Sequence, residues 1–173
     1  MKKDDLIKID AQYNRKIAYL CGIFNSMIFD FIARSKTQLN VSTVFPLLPI
    51  PNVTKFDDEI IHLSAKLSIG SSEFEGFAES LRIENKQLSP RERIETAAKL
   101  DALVALAYGL DINEYKIVIN SFKLGEDFTM SDAKEINWSD STSIMRNFFG
   151  EVRKIVLKHY NEYVKEYNIG VKI

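Results

Sequence analysis

Between Tyr13 and Arg34, apolar side chains recur at spacings of three and four: Ile17, Leu20, Phe24, Met27 or Ile28, and Phe31. That period lays them along one stripe of a helix. Cys21, Ile23, Phe29 and Ile32 widen the stripe until little polar surface is left, so a helix over 13–34 is predicted to be enclosed on most sides. The pattern then changes abruptly to the polar "RSKTQLN". Beyond it, Val41, Thr43, Val44 and Phe45 favour extended backbone, while Pro46, Pro49 and Pro51 exclude a helix and restrict the residues before them. One short strand or edge segment is expected here, followed by a stiff extended connection.

Helical periodicity returns after the prolines. Thr54 offers an N-cap with Asp57 three residues on, and "KFDDEIIHLSAKLS" then turns Phe56, Ile60, Leu63 and Leu67 inward. Gly70 and Gly76 mark a loop, with a short helix expected over 73–83. The clearest start signal is "SPRE" at 89–92, with Ser89 as N-cap, Pro90 at the first helical position and Glu92 closing a capping box. This helix should stop at Gly109, and Asp111 with Glu114 restarts another at once. The result is a compact helix–turn–helix pair, whose short joint does not by itself make it a DNA-binding one. Residues 123–140 read as an acidic loop. Over about 141–168 a last amphipathic helix carries Ile144, Phe148, Val152, Ile155 or Val156, Tyr160, Tyr163 or Val164, and Tyr167. The chain is therefore expected to be a single domain over 1–173, mainly α with a small extended or β element, built like a helical bundle. Its parts are 1–53 (helix and proline-rich segment), 54–122 (helical), 123–140 (loop) and 141–173 (long helix).

Composition narrows the class. The 173 residues are 46% hydrophobic and 27% charged, ordinary for a folded chain with a real core. The apolar stretch Ala18–Ala33 is interrupted by Asn25, Ser26 and Asp30 and falls short of the about 20 residues a spanning helix needs, so a core helix is expected and no membrane partner. The N-terminal "MKKDDLIKIDAQYNRK" mixes acids with bases and has no adjoining cleavage site, unlike a signal peptide. The lone cysteine, Cys21, fits a reducing compartment, and a cytoplasmic location is expected. Net charge is −1 but unevenly spread. Residues 1–56 hold eight Lys/Arg against four Asp/Glu, residues 57–140 nine against 17, and residues 141–173 six against three. The basic ends are a candidate surface for a polyanion, and a solvated charge mosaic gives the same pattern.

No catalytic constellation is legible. Cys21 lies in the most apolar helix, the glycines are scattered as caps and turns rather than gathered around a phosphate, and His62 and His159 are too far apart in sequence to signal a zinc site. "ENK" at 84–86 and "DAK" at 132–134 each match half of a metal-dependent nuclease motif, without a clear strand or upstream aspartate. The polar switch carries more. Arg34 and Lys36 suit phosphates, and Gln38 and Asn40 have the paired donor and acceptor that fit base edges, adenine in particular. Ser35, Thr37, Ser42 and Thr43 add hydroxyls. The same cations also suit a solvated helix C-terminus, where they complement the dipole. Tyr160, Tyr163 and Tyr167 could stack on nucleotides, but their helical spacing favours packing.

Two segments together carry a family resemblance. "YLCGIFNSMIFDFIARS…LNVSTVFPLLPIP" resembles the "LLxxLNSxxFxFxxR" helix and following "LNxxxxxxLPxP" segment near the C-terminus of adenine-specific DNA methyltransferases from restriction–modification and related phage-defence systems. "IETAAKLDALVALAYGLDINEYKIVINSF" is similar to that family's "LRAELDALVAxLYGLxxxELxYILxxF" tail, with Leu100, Asp101, Ala102, Leu103, Tyr108, Gly109 and Leu110 in register. The resemblance spans roughly residues 17–122. It implies the C-terminal target-recognition region of a type IIG-like enzyme, in which methyltransferase and endonuclease are fused. In that family the methyltransferase core binds S-adenosylmethionine, carries an Asn-Pro-Pro-Tyr/Phe motif and flips the base. This chain has no "NPP" string, so S-adenosylmethionine and Mg are expected only in catalytic domains outside it. The expectation is a fragment, truncated product or separate specificity piece. Its partners would be duplex DNA and the methyltransferase domain. The family transfers no DNA-contacting residues, and Arg34, Lys36, Thr37, Gln38 and Asn40 are candidates on chemistry alone. A pI near 6.2 sits on the acidic side for a DNA reader. The alternative is a helical interaction domain that docks on the methyltransferase and touches no DNA.

Overall fold

In the computed structural model, residues 3–36, 47–52, 54–122 and 141–170 are described, those of 3–10 and 141–150 by backbone only. Seven α-helices follow one another among these residues: α1 (Lys3–Phe24), α2 (Met27–Lys36), α3 (Asp57–Ser68), α4 (Glu75–Ser80), α5 (Pro90–Ala107), α6 (Ile112–Ser121) and α7 (Ser141–Glu166). A 3₁₀ turn over Ser72–Phe74 leads into α4. The described residues contain no strand, and the segment expected to be extended at 41–45 lies outside them. The molecule is a mainly helical bundle, as its periodicity predicts.

Helix α5 is the axis. In its second half Ala98, Leu100 and every residue from Asp101 to Leu106 are buried, so nearly the whole helix circumference is covered. A helix that is apolar all round must lie inside the bundle. It packs most extensively on α7 and then on α3, which also packs on α1. The main core joins Ile23, Ile28, Ile60, Leu103, Tyr115 and Val156 from six helices, while Ala18, Ile61, Ala65, Ile69, Ala78 and Ile83 form a smaller cluster under α4. Where α1 crosses α3 and α5, the chain has Gly22. A Cβ built there would sit 3.1 Å from Ile60 Cγ2, 3.2 Å from Ser64 Cβ and 3.3 Å from Leu100 Cδ1, so only glycine leaves this crossing unstrained.

Local signals set the ends of α5 and α6 as expected. Ser89 and Asp111 both form capping boxes, with Glu92 and Glu114 reaching back to the cap N–H. Helix α5 stops in a Schellman turn, with Gly109 at φ +73° and the Leu110 N–H donating to the Ala105 carbonyl at 3.1 Å.

Two expectations need correction. The single helix predicted over 13–34 is two helices, the first beginning at Lys3, with their axes bent by 67° at Asn25–Ser26. Apolar periodicity continues across the break and conceals it. The N-cap of α3 is Phe56 rather than Thr54. Thr54 instead forms a turn ahead of the helix, its hydroxyl and backbone N–H both donating to Asp57 Oδ1 at 2.7 and 3.0 Å. No single helix among the described residues is long and apolar enough to cross a membrane.

Candidate nucleic-acid interface

The direction of α2 is set at the break. Asn25 donates from its side chain to the Cys21 carbonyl, and the Ser26 hydroxyl donates to the Ile23 carbonyl while accepting from the Phe29 N–H. The first backbone N–H of α2, on Met27, donates to Oδ1 of Asp101 at 2.7 Å. Tyr115 on α6 donates its hydroxyl to the other oxygen, also at 2.7 Å. One buried carboxylate on α5 therefore joins α2 and α6, and it occupies the end of a helix where negative charge is stabilised. Burial pushes the Asp101 carboxyl up to about 6, against the pull of the Tyr115 and Met27 hydrogen bonds. Burial also raises the Tyr115 hydroxyl well above its ordinary range, with the Asp101 charge adding to it.

Held this way, α2 delivers its last turn to the end of the bundle where α6 stops. Arg34 Nε and Nη2 donate to the two oxygens of Asp30 at 3.0 and 2.5 Å. Its guanidinium lies 4.8 Å from the ring centroid of Phe122, the residue that ends α6. The hydrogen bond to Asp30 raises the Arg34 pKa. Arg153 on α7 donates to the Phe122 carbonyl at 3.1 Å. Lys36 is exposed, and Ser35 turns its hydroxyl back to the Ile32 carbonyl. The structure thus brings Arg34 and Arg153 to one aromatic residue, with Lys36 beside them on the last turn of α2. Thr37, Gln38 and Asn40, like Ser42 and Thr43, lie outside the described residues. Phe122 and Arg153 were not singled out as site residues by the sequence. Their signal is wholly tertiary, because α2, α6 and α7 meet only in the fold.

The two segments that carry the family resemblance are also joined by hydrogen bonds. Besides the Asp101–Met27 bond, the Tyr108 hydroxyl donates to the Pro49 carbonyl at 2.8 Å, so the "YGL" turn holds the proline-rich segment. Tyr19 donates to the neighbouring Pro51 carbonyl at 3.3 Å.

Other candidates are absorbed by packing. Tyr160 donates to the Leu110 carbonyl, and Tyr163 and Tyr167 donate to the two oxygens of Glu59 at 2.8 and 2.6 Å. Tyr160 and Tyr163 are buried, so they form a packing face rather than a stacking platform. His159, also buried, has Glu95 at 2.7 Å on Nε2 and Glu162 at 2.9 Å on Nδ1. His62 is exposed on α3, and partial desolvation lowers its pKa, with Lys66 adding to the effect. In "ENK", Glu84 and Lys86 are exposed on an irregular segment, and "DAK" lies outside the described residues. No group of three or more His, Cys, Asp or Glu suited to a metal ion occurs among the described residues.

Comparisons with protein-family models, with curated proteins and with solved structures each return no match to this chain.

Proposed function

We propose that this chain is a non-catalytic DNA target-recognition module of a type IIG-like restriction–modification enzyme, binding duplex DNA beside an adenine-specific methyltransferase domain and helping to position the target adenine. The observation that carries the reading is the contact between the two resembling segments. Asp101 of the second bonds the first turn of α2 in the first, and that bond sets where the basic turn of α2 emerges. Arg34 and Lys36 there have the chemistry of phosphate ligands, and counterion release makes such contacts salt-dependent. Fluorescence-anisotropy titration of the chain with duplex DNA at low salt tests the reading. Binding should weaken with salt, and Arg34→Ala with Lys36→Ala should flatten the plot of log affinity against log salt by about two phosphate contacts. A folded chain that binds no duplex, alone or with its methyltransferase partner, rules the proposal out.

One observation favours the second reading, a helical domain that docks on the methyltransferase without touching DNA. Both edges of the Arg34 guanidinium that donate here are already taken by Asp30. Under that reading the double substitution leaves DNA affinity of the assembled enzyme unchanged.

A further inference from the structure

The two histidines stand in opposite surroundings. His62 faces solvent on α3, whereas the His159 side chain is 5% exposed, between α7 and α5. Both ring nitrogens of His159 meet carboxylate oxygens. Nε2 lies 2.7 Å from Glu95 Oε2 on α5, and Nδ1 lies 2.9 Å from Glu162 Oε2, one turn further along α7. A neutral imidazole has one N–H and one bare lone pair, and an ionised carboxylate only accepts. With a neutral ring, one of these contacts sets lone pair against lone pair at hydrogen-bonding distance. Only the imidazolium donates to both. The ring's ion-pairing partners among the described residues all come from these two helices. Around them, Lys158 Nζ stands 3.9 Å from Glu162 Oε1, and Lys158 and Lys99 both act on Glu95. The hydrogen bond to His159 holds the Glu95 carboxyl below its ordinary range, so Glu95 is ionised at neutral pH.

We infer that His159 is a proton-operated latch between α5 and α7, closed while the ring carries both protons and released at one of its two carboxylates when a proton leaves. This device is a property of the fold and is independent of what the chain binds. Its place gives it leverage, because α7 packs on α5 more extensively than any other two helices pack among the described residues. Tyr160 and Tyr163, close to His159 on α7, carry the hydroxyl bonds to the Leu110 carbonyl and to Glu59. A buried nitrogen left facing a carboxylate has no donor, and water reaches it only if the helices part, so the loss is not made good in the closed pair. Histidine is the side chain that ordinarily changes charge between about pH 5 and 8, a range in which carboxylates and lysines in general do not. The latch therefore holds on the acid side of that range and lets go as pH rises.

The experiment is nuclear magnetic resonance of the ¹⁵N-labelled full chain from about pH 5 to about pH 9, with exposed His62 as the internal reference. At the acid end both ring nitrogens of His159 should carry a proton. As pH rises the ring should pass to one protonated nitrogen. With the same midpoint, the α7 amides over 156–163 should lose about tenfold or more of their exchange protection, corrected for the intrinsic rate, as one charge-assisted hydrogen bond is lost. Glu95→Gln is the second arm. Its amide can donate to a bare Nε2 or accept from a protonated one, so a neutral ring keeps both contacts and the step in α7 protection should vanish. A His159 ring with one protonated nitrogen at the acid end overturns the latch. So does a ring that titrates while α7 protection stays level, and so does a Glu95→Gln chain that keeps the step.

Discussion

Oδ1 of Asp101 accepts the Met27 backbone N–H across 74 positions of sequence, at 2.7 Å, in a site where the carboxylate is 4% exposed. The same side chain holds the Tyr115 hydroxyl. Asp101→Leu leaves both donors buried and unpartnered, which costs roughly 2–4 kcal/mol. Because α2 is aimed by this bond, the variant should also lose the protection of α2 amides in hydrogen exchange before that of α5. Urea unfolding gives the first quantity and exchange mass spectrometry the second.

Asp101 also gives stability a pH dependence of unusual sign. Its folded pKa of about 6 lies above the ordinary aspartate value of 3.8, so between those values the native state holds a proton that the unfolded state has released. The contribution of this group to stability falls as pH rises from about 4 to about 6, by on the order of 3 kcal/mol, and is flat beyond. Asp101→Asn removes that slope. Between about pH 4 and about pH 6 the denaturant midpoint of the parent should therefore fall relative to that of Asp101→Asn and then run parallel to it at pH 7, and curves that are parallel throughout or drift the other way refute the assignment.

Glu95 acts in the opposite direction. Its hydrogen bond to buried His159 holds its pKa below the ordinary 4.5, with Lys158 and Lys99 contributing. A depressed carboxylate contributes stability that is fully present above the unfolded value and is lost as pH falls through the folded one. Below about pH 4.5 the parent chain should lose stability that Glu95→Gln does not, visible in thermal melts at pH 3 to 5.

At the α1 crossing, Gly22→Val forces side-chain atoms against Ile60, Ser64 and Leu100, which already stand within 3.3 Å of where a Cβ would be. Overpacking of this kind costs about 1–3 kcal/mol. Arg82, by contrast, sits at φ +57° where α4 ends in a Schellman turn, its N–H donating to the Glu79 carbonyl. Arg82→Gly relieves a left-handed conformation and should raise stability by up to about 1 kcal/mol. Chemical denaturation should move in opposite directions for the two glycine exchanges.

The two substitutions proposed to weaken DNA binding can be separated from folding effects. Lys36→Ala, on an exposed last turn, should leave the unfolding midpoint within about 0.5 kcal/mol of the parent. Arg34→Ala loses an exposed ion pair and a ring contact, together about 1 kcal/mol. A loss of DNA affinity in a double variant that stays folded is then not a folding effect.

The helices were largely legible because their signals are local. "SPRE" and "DINE" carry whole caps within four residues, Gly109 supplies the one conformation its turn requires, and the 3.6-residue period of α7 names its buried stripe before any partner is known. The break in the first helix was hidden because apolar periodicity runs across it and half of its cause is remote. Ser26 caps the new N-terminus locally by accepting the Phe29 N–H, and Asp101, 74 residues away, accepts the Met27 N–H. Arg34 reads in sequence as a phosphate ligand, yet Asp30 one turn earlier and Phe122 from another helix already engage it. Capping and amphipathic period depend on neighbours within a turn, so the residues alone placed most of the helices and the faces they bury, though not the start or the break of the first. Where the basic turn of α2 points, which face of α6 is left unpacked and how a buried carboxylate is satisfied were settled by packing. Those outcomes depend on groups far apart in the chain, brought within hydrogen-bonding distance only when the helices pack around α5.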